Sequence, residues 1–181
     1  LEQGLEFDKT AVAASVCAFI KGRMAQMARD EKVSADTVAA VSDGDVTVPV
    51  HFFELAHALE EARANDREAF TNLATAYARA AHLADAELGT EVDRNLMGDA
   101  ELALLDATDA ARDEVASALD ARDFKSVIVA LAALRGPIDA FFDDVMVMDE
   151  DMAVRENRLR LLNRFEDVFA GIANIGEMAR K

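Results

Sequence analysis

Three histidines, one cysteine and a run of carboxylates are the groups in this 181-residue chain with the most direct capacity for chemistry. Their spacing decides what that chemistry is. His51, His57 and His82 do not form the i, i+4 pair by which one helix face holds a metal ion, so structural or surface roles are expected for them. Cys17 follows Val16 and precedes Ala18 and Phe19. An apolar setting of that kind packs a thiol as a small hydrophobe, whereas a nucleophile needs a basic, partly wet one. Asp143, Asp144, Asp149, Glu150 and Asp151 are the densest oxygen donors, but they lack the spacing of a calcium loop. The plainer expectation is a solvated helix face at Asp143 and Asp144 and a helix cap at 149–151. No glycine-rich phosphate loop, G-x-S-x-G elbow or dinucleotide fingerprint occurs. No catalytic residue and no metal ligand is expected.

The arginines near the C-terminal end suggest recognition instead. From Met152 onward six basic residues face four acidic ones, a balance of +2, while everything before sums to −18. At 100° per residue, Asn157, Arg160 and Arg164 fall at i, i+3, i+7 beside an apolar seam through Leu161 and Phe165, with Arg155 and Arg158 close by. Arginine forks onto phosphate or stacks on a splayed base, and asparagine reads a base edge. The plain alternative is a solvated face whose arginines pair with neighbouring acids.

These side chains need helices to position them. Val12, Val16, Phe19, Ile20, Met24 and Met27 recur on one face of a first helix that Asp8 caps, and a short second helix runs from Ser34 to about Val41 before SDGDVTVPV breaks the pattern. Phe52, Leu55, Ala56 and Leu59, then Phe70, Leu73, Tyr77 and Ala81, mark a hairpin of helices turning near Asn65 and Asp66. Gly89 to Gly98 reads as a connection and the best hinge candidate, and a possible sub-boundary of one helical domain over 1–181. A long helix follows from Asp99, then one through Phe124 to Leu134. Pro137 opens a further helix with Ile138, Phe141, Phe142 and Val145 on its stripe. The last helix is expected to be long, carrying Val154, Leu161, Phe165, Val168, Ile172 and Ile175. The fold class is therefore all-α, an antiparallel bundle of about seven to eight helices.

Composition agrees. An apolar content of 52%, with two prolines and eight glycines, describes a globular chain made for helices. A net charge of −16 rules out a wholesale basic wrap around nucleic acid and leaves only local positive patches. A single cysteine allows no internal disulfide, and no apolar run long enough to span a membrane or act as a signal peptide is present, so a cytoplasmic protein is expected. Because the chain opens at Leu1 without an initiator methionine, it reads as a piece of something longer.

The stretch 131–165, LAALRGPIDAFFDDVMVMDEDMAVRENRLRLLNRF, strongly resembles the C-terminal end of the β subunit of bacterial two-subunit glycyl-tRNA synthetases. The specific residues are PIDAFFDDVMVM, Asp151, Arg155, Asn157-Arg158-Leu159 and Leu161-Leu162. Looser likenesses lie upstream, in FIKGRM at 19–24 and AYARAAHLA at 76–84, where Ala78 stands in place of a usual lysine and His82 in place of a usual asparagine while Arg79 keeps the arginine. The resemblance implies a helical anticodon-binding domain of the type shared with arginyl-tRNA synthetase, which holds tRNA(Gly) and does no bond making itself. Its implied RNA contacts are Arg79, Arg155, Asn157, Arg158, Arg160 and Arg164. It implies no cofactor in this domain, with ATP used by the catalytic α subunit. The partners implied are tRNA(Gly), that α subunit and the remainder of the β subunit; DNA and membranes are not. The competing expectation is a non-catalytic helical domain that docks a protein partner through its acidic surface.

Overall fold

The computed structural model describes residues 8–44 and 48–179. Part of the SDGDVTVPV break, at 45–47, and the two terminal cations Arg180 and Lys181 lie outside the described residues. Eight α-helices and no strand occur among the described residues: α1 (Lys9–Asp30), α2 (Ala35–Ser42), α3 (Pro49–Asn65), α4 (Arg67–Leu83), α5 (Asp99–Ala121), α6 (Phe124–Ala133), α7 (Arg135–Asp144) and α8 (Met152–Asp167). Short 3₁₀ turns sit at Ala86–Leu88, Arg94–Leu96 and Ile175–Ala179. The fold is all-α, as the periodicity predicts.

Aspartates start the helices where the sequence places them. Asp8, Asp66, Asp123 and Asp151 each accept from the backbone N–H of the second or third residue of the following helix, which satisfies donors that have no partner within it. Helix α5 begins differently: the Glu101 carboxylate reaches back to the N–H of Gly98 at 2.8 Å. Helix α4 is central, packing on α3, α7, α8 and the last 3₁₀ turn, while α5 lies against α6, α7 and α8. Phe52, Phe141, Phe165 and Phe169 are fully buried, and Tyr77 and Phe165 both lie against Phe169 with ring centroids 4.8 and 5.3 Å away.

Three departures from the sequence reading have physical causes. Helix α8 stops at Asp167 rather than running to Ile175: the N–H groups of Val168, Phe169 and Ala170 shift to carbonyls three residues back, and the chain then turns at Gly171 with a φ of 74° that glycine adopts freely. Val168, Phe169, Ile172 and Ile175 stay buried, so the apolar period survives the loss of the helix. The returning segment lands on α2: Asn174 N–H donates to Ala40 O at 2.9 Å, and a side chain at Gly44 would strike the Ile172 carbonyl. Helix α7 starts at Arg135, two residues before Pro137, and Val145 lies just past its end in extended backbone. Helix α1 differs most. Only Met24, Ala25 and Ala28 are buried, every residue from Asp8 to Ile20 is exposed, and Phe19 retains 69% of its surface. The stripe is real, but its first turns run where no other described element covers them.

Candidate nucleic-acid interface

The six residues marked as RNA contacts divide into fastened and open. Asn157 was expected on an exposed stripe with Arg160 and Arg164, and is instead 1% exposed. It lies one turn before Leu161, in phase with the buried seam, so its amide faces inward. There it accepts from Asp93 N–H at 2.7 Å and donates to Asp93 O at 3.0 Å, pairing with the backbone beside the Arg94–Leu96 turn. Asn163, six residues on and absent from the sequence reading, does the same for the preceding turn. It accepts from Asp85 N–H at 2.9 Å and donates to Asp85 O and Gly89 O, each at 2.7 Å. The connection 85–97 is thus held against α8 by two amides. Their signal in the sequence is a polar residue recurring in phase with the core.

Arg158 is the most enclosed of the arginines, 14% exposed beside a Glu101 carboxylate that is 4% exposed. Its Nε donates to Glu101 at 2.9 Å, and Nη1 donates to Asp149 at 2.7 Å and to Met146 O at 2.8 Å. Burial alone would lower the guanidinium pKa, but the hydrogen bonds to Glu101 and Asp149 prevail and raise it. The Asp149 carboxyl is lowered by the Asp151 backbone N–H and by Arg158. Arg158 therefore ties the start of α5 to the α7–α8 loop. Arg160 donates to Glu156 at 3.0 Å and to Leu88 O at 3.2 Å; Arg164 donates to Asp109 at 2.7 Å, and that bond raises its pKa further. The stripe expected to be cationic and open is largely neutralised by carboxylates.

Arg155 and Arg79 remain. Arg155, half-buried on the first turn of α8, makes no ion pair among the described residues and donates to the Met152 sulfur. Arg79 is exposed on α4, also without an ion pair among the described residues, and its guanidinium carbon stands 4.0 Å above the centroid of the Phe142 ring on α7. Phe142 is in turn set edge-on to the buried Phe141, at 5.4 Å, so the platform under Arg79 is anchored in the core. A cation held flat on a ring keeps its donors free at the edge and its outer face free for stacking.

The carboxylates at 143–151 do not converge. Asp149 is engaged by Arg158, Asp151 caps α8, and among the described residues no cluster of three or more His, Cys, Asp or Glu is arranged to hold a metal ion. No helix among them is long and apolar enough to cross a membrane. His51 rests against Phe124, and His57 lies 3.2 Å from Glu31 at the surface. Cys17 is exposed on α1 rather than packed.

Comparison with known proteins bears on this arrangement. Residues 73–175 match the family described as DALR anticodon binding domain. Across 173 residues, 94% of the chain, the sequence is 36% identical to a glycine–tRNA ligase beta subunit of Acinetobacter baumannii strain AYE, and 37% identical to that of Acinetobacter baylyi. The same subunit of Vibrio cholerae is 37% identical over 169 residues. The chain spans 24% of the length of each of these relatives.

Proposed function

The chain belongs to the DALR anticodon-binding domain family, and from that premise we propose that it grips the anticodon stem and loop of tRNA(Gly) as part of a two-subunit glycine–tRNA ligase. On this reading the domain makes and breaks no bonds. It spends binding energy on holding the tRNA so that the acceptor end meets the distant active site, which the catalytic α subunit supplies together with its ATP. The compartment is the cytoplasm, where tRNA is charged.

One observation carries the reading. Within the stretch that matches the family, Arg79 is open to solvent, without an ion pair among the described residues, and backed by the Phe142 ring. Arginine planes on aromatic supports are what unstacked RNA bases settle upon, and a body of charge −16 must rely on such local contacts because its overall field repels a polyanion. Arg155 is the second open cation. Arg160 and Arg164 contribute only where phosphate displaces Glu156 and Asp109, and Arg158 and Asn157 act through the shape of the loops they hold.

The test is a titration of labelled tRNA(Gly) into the full chain at low salt. Arg79→Glu with Arg155→Glu is expected to weaken binding at least about tenfold with the melting temperature unchanged, and binding is expected to fall steeply with salt. Equal binding by the variant, or none by the unaltered chain, overturns the reading.

A protein contact has an observation of its own. The α1 stripe of Val12, Val16, Phe19 and Ile20 is exposed, and the exposed Arg23 follows one turn on. Since the matched stretch is 24% of the relatives' length, the partner proposed for it is the remainder of the same subunit. That contact would accompany RNA binding rather than replace it.

A further inference from the structure

The arginines around α8 differ in the company they keep. Arg158, Arg160 and Arg164 each reach a carboxylate, whereas Arg79 and Arg155, which make no ion pair among the described residues, each lie beside exposed methionine. Arg79 lines one cleft with Met146 and Met148, and Arg155 donates to the Met152 sulfur. These methionines all fall in the stretch 146–152 and keep between 55% and 74% of their surface, while Met24 and Met178 are buried. The loop that presents them is not slack. Arg158 donates to Met146 O at 2.8 Å and to Asp149 at 2.7 Å, Val147 is buried between its two methionine neighbours, and Asp151 caps α8. The outward setting of the sulfurs is therefore fixed by the fold.

We propose that Met146, Met148 and Met152 form an oxidation site through which hydrogen peroxide lowers the affinity of the domain for RNA, a regulation that rests on the tRNA-binding reading above. The chemistry is an oxygen transfer. A sulfur lone pair attacks one peroxide oxygen, the O–O bond breaks as the S–O bond forms, and both peroxide protons leave with the other oxygen as water. Sulfur is oxidised from thioether to sulfoxide and the peroxide is reduced. Exposed thioethers meet the reagent directly, and buried ones are shielded from it. The product changes what the arginines see, because a thioether sulfur is a weak acceptor whereas a sulfoxide oxygen is polar enough to hold a guanidinium donor. Formed at Met152, that oxygen stands beside the Arg155 donors; formed at Met146 or Met148, it enters the cleft that Arg79 lines. Oxidation thus gives the two open cations the acceptors that carboxylates already give Arg158, Arg160 and Arg164, and RNA must then displace them. Sulfoxide reductases, one for each epimer at sulfur, return the thioether and reopen the site.

The experiment uses the full chain carrying Cys17→Ser, so that the exposed thiol takes no part. Labelled tRNA(Gly) is titrated before and after treatment with hydrogen peroxide, and oxygen uptake is mapped by mass spectrometry of peptides. Met146, Met148 and Met152 are expected to gain one oxygen each ahead of Met24 and Met178. With the melting temperature unchanged, the affinity should fall about tenfold, the worth of one charge-assisted contact. The two sulfoxide reductases together should restore it. Met146→Leu, Met148→Leu and Met152→Leu together, swaps close in volume at exposed positions, should keep the affinity before and after peroxide within about twofold. They should do so although the exposed Met27 on α1 still oxidises. A loop that resists peroxide, an affinity that survives its oxidation, or an equal fall in the leucine variant overturns the switch and leaves the tRNA reading standing. If tRNA(Gly) does not bind before peroxide is added, that reading falls and the switch with it.

Discussion

Helices α1 and α8 carry their cations to opposite ends. On α8, Arg158, Arg160 and Arg164 each reach a carboxylate, two of them on other elements. On α1, Arg23 and Arg29 make no ion pair among the described residues, and Val12, Val16, Phe19 and Ile20 of the apolar stripe face outward. In the sequence both read as amphipathic helices flanked by arginine. What separates them is enclosure: α8 is walled by α4, α5 and the 85–97 connection, whose acids and carbonyls come within reach of Arg160 and Arg164, while among the described residues α1 packs chiefly on α2 and α3. Helical phase reveals which way a charge points, and distant parts of the chain decide whether it is answered.

The contrast is broken most severely at Arg158. Arg158→Ala strands the buried Glu101 carboxylate and frees the α7–α8 loop, and should cost about 3 kcal/mol. For a chain of this size that is a drop of roughly 6–12 °C in a thermal melt. A loss below about 1 kcal/mol would make α8 as loosely held as α1.

A smaller effect tests whether the N-terminal half has a fastening of its own. Arg63 on α3 donates to Asp36 on α2 at 2.6 Å and to Glu60 at 2.8 Å, and Glu60 also accepts from Ser34. Burial would raise the Glu60 carboxyl, but hydrogen bonds from Ser34, Thr37 and Arg63 override it and hold it at about 2 against an ordinary 4.5. A depressed carboxyl stabilises the fold above its unfolded pKa and loses that contribution as pH falls toward the folded one. The melting temperature should therefore decline between pH 4.5 and about 2, and Glu60→Gln should flatten the decline in that window while lowering the plateau above it. An unchanged slope would place the acid sensitivity elsewhere.

The smallest effect is expected on α1. Phe19→Ser removes an exposed ring and should shift the stability of the chain by within about 0.5 kcal/mol, measured by denaturant titration. A loss of more than about 1 kcal/mol would mean that the stripe is packed in solution and that the contrast with α8 fails.

Much of the fold could be read from local chemistry. Asp8, Asp66, Asp123 and Asp151 announce helix starts because a capping carboxylate acts within three residues, and the seam of Leu161 and Phe165 follows from period alone. The candidate site was less legible, since its character depends on separation in sequence. Arg79 and Phe142 are 63 positions apart and Arg158 and Glu101 are 57, so neither the open stack nor the closed pair leaves a mark on a helical wheel. Asn157 was misread for a related reason: its phase borders both the arginine stripe and the seam, and only the Asp93 backbone, supplied by the connection, draws it inward. The resemblance carried by PIDAFFDDVMVM pointed to the right family, while the arrangement of its outward methionines required the loop itself.

The contact of Gly44 with the Ile172 carbonyl, joined by the Asn174 bond to Ala40, also bears on how the molecule comes into being. Residues 128 and 134 positions apart close on each other there, so α2 has no finished seat until the stretch after α8 has left the ribosome. Until that stretch is made α2 can dock only on α1 and α3, so the closing contact is among the late steps of folding.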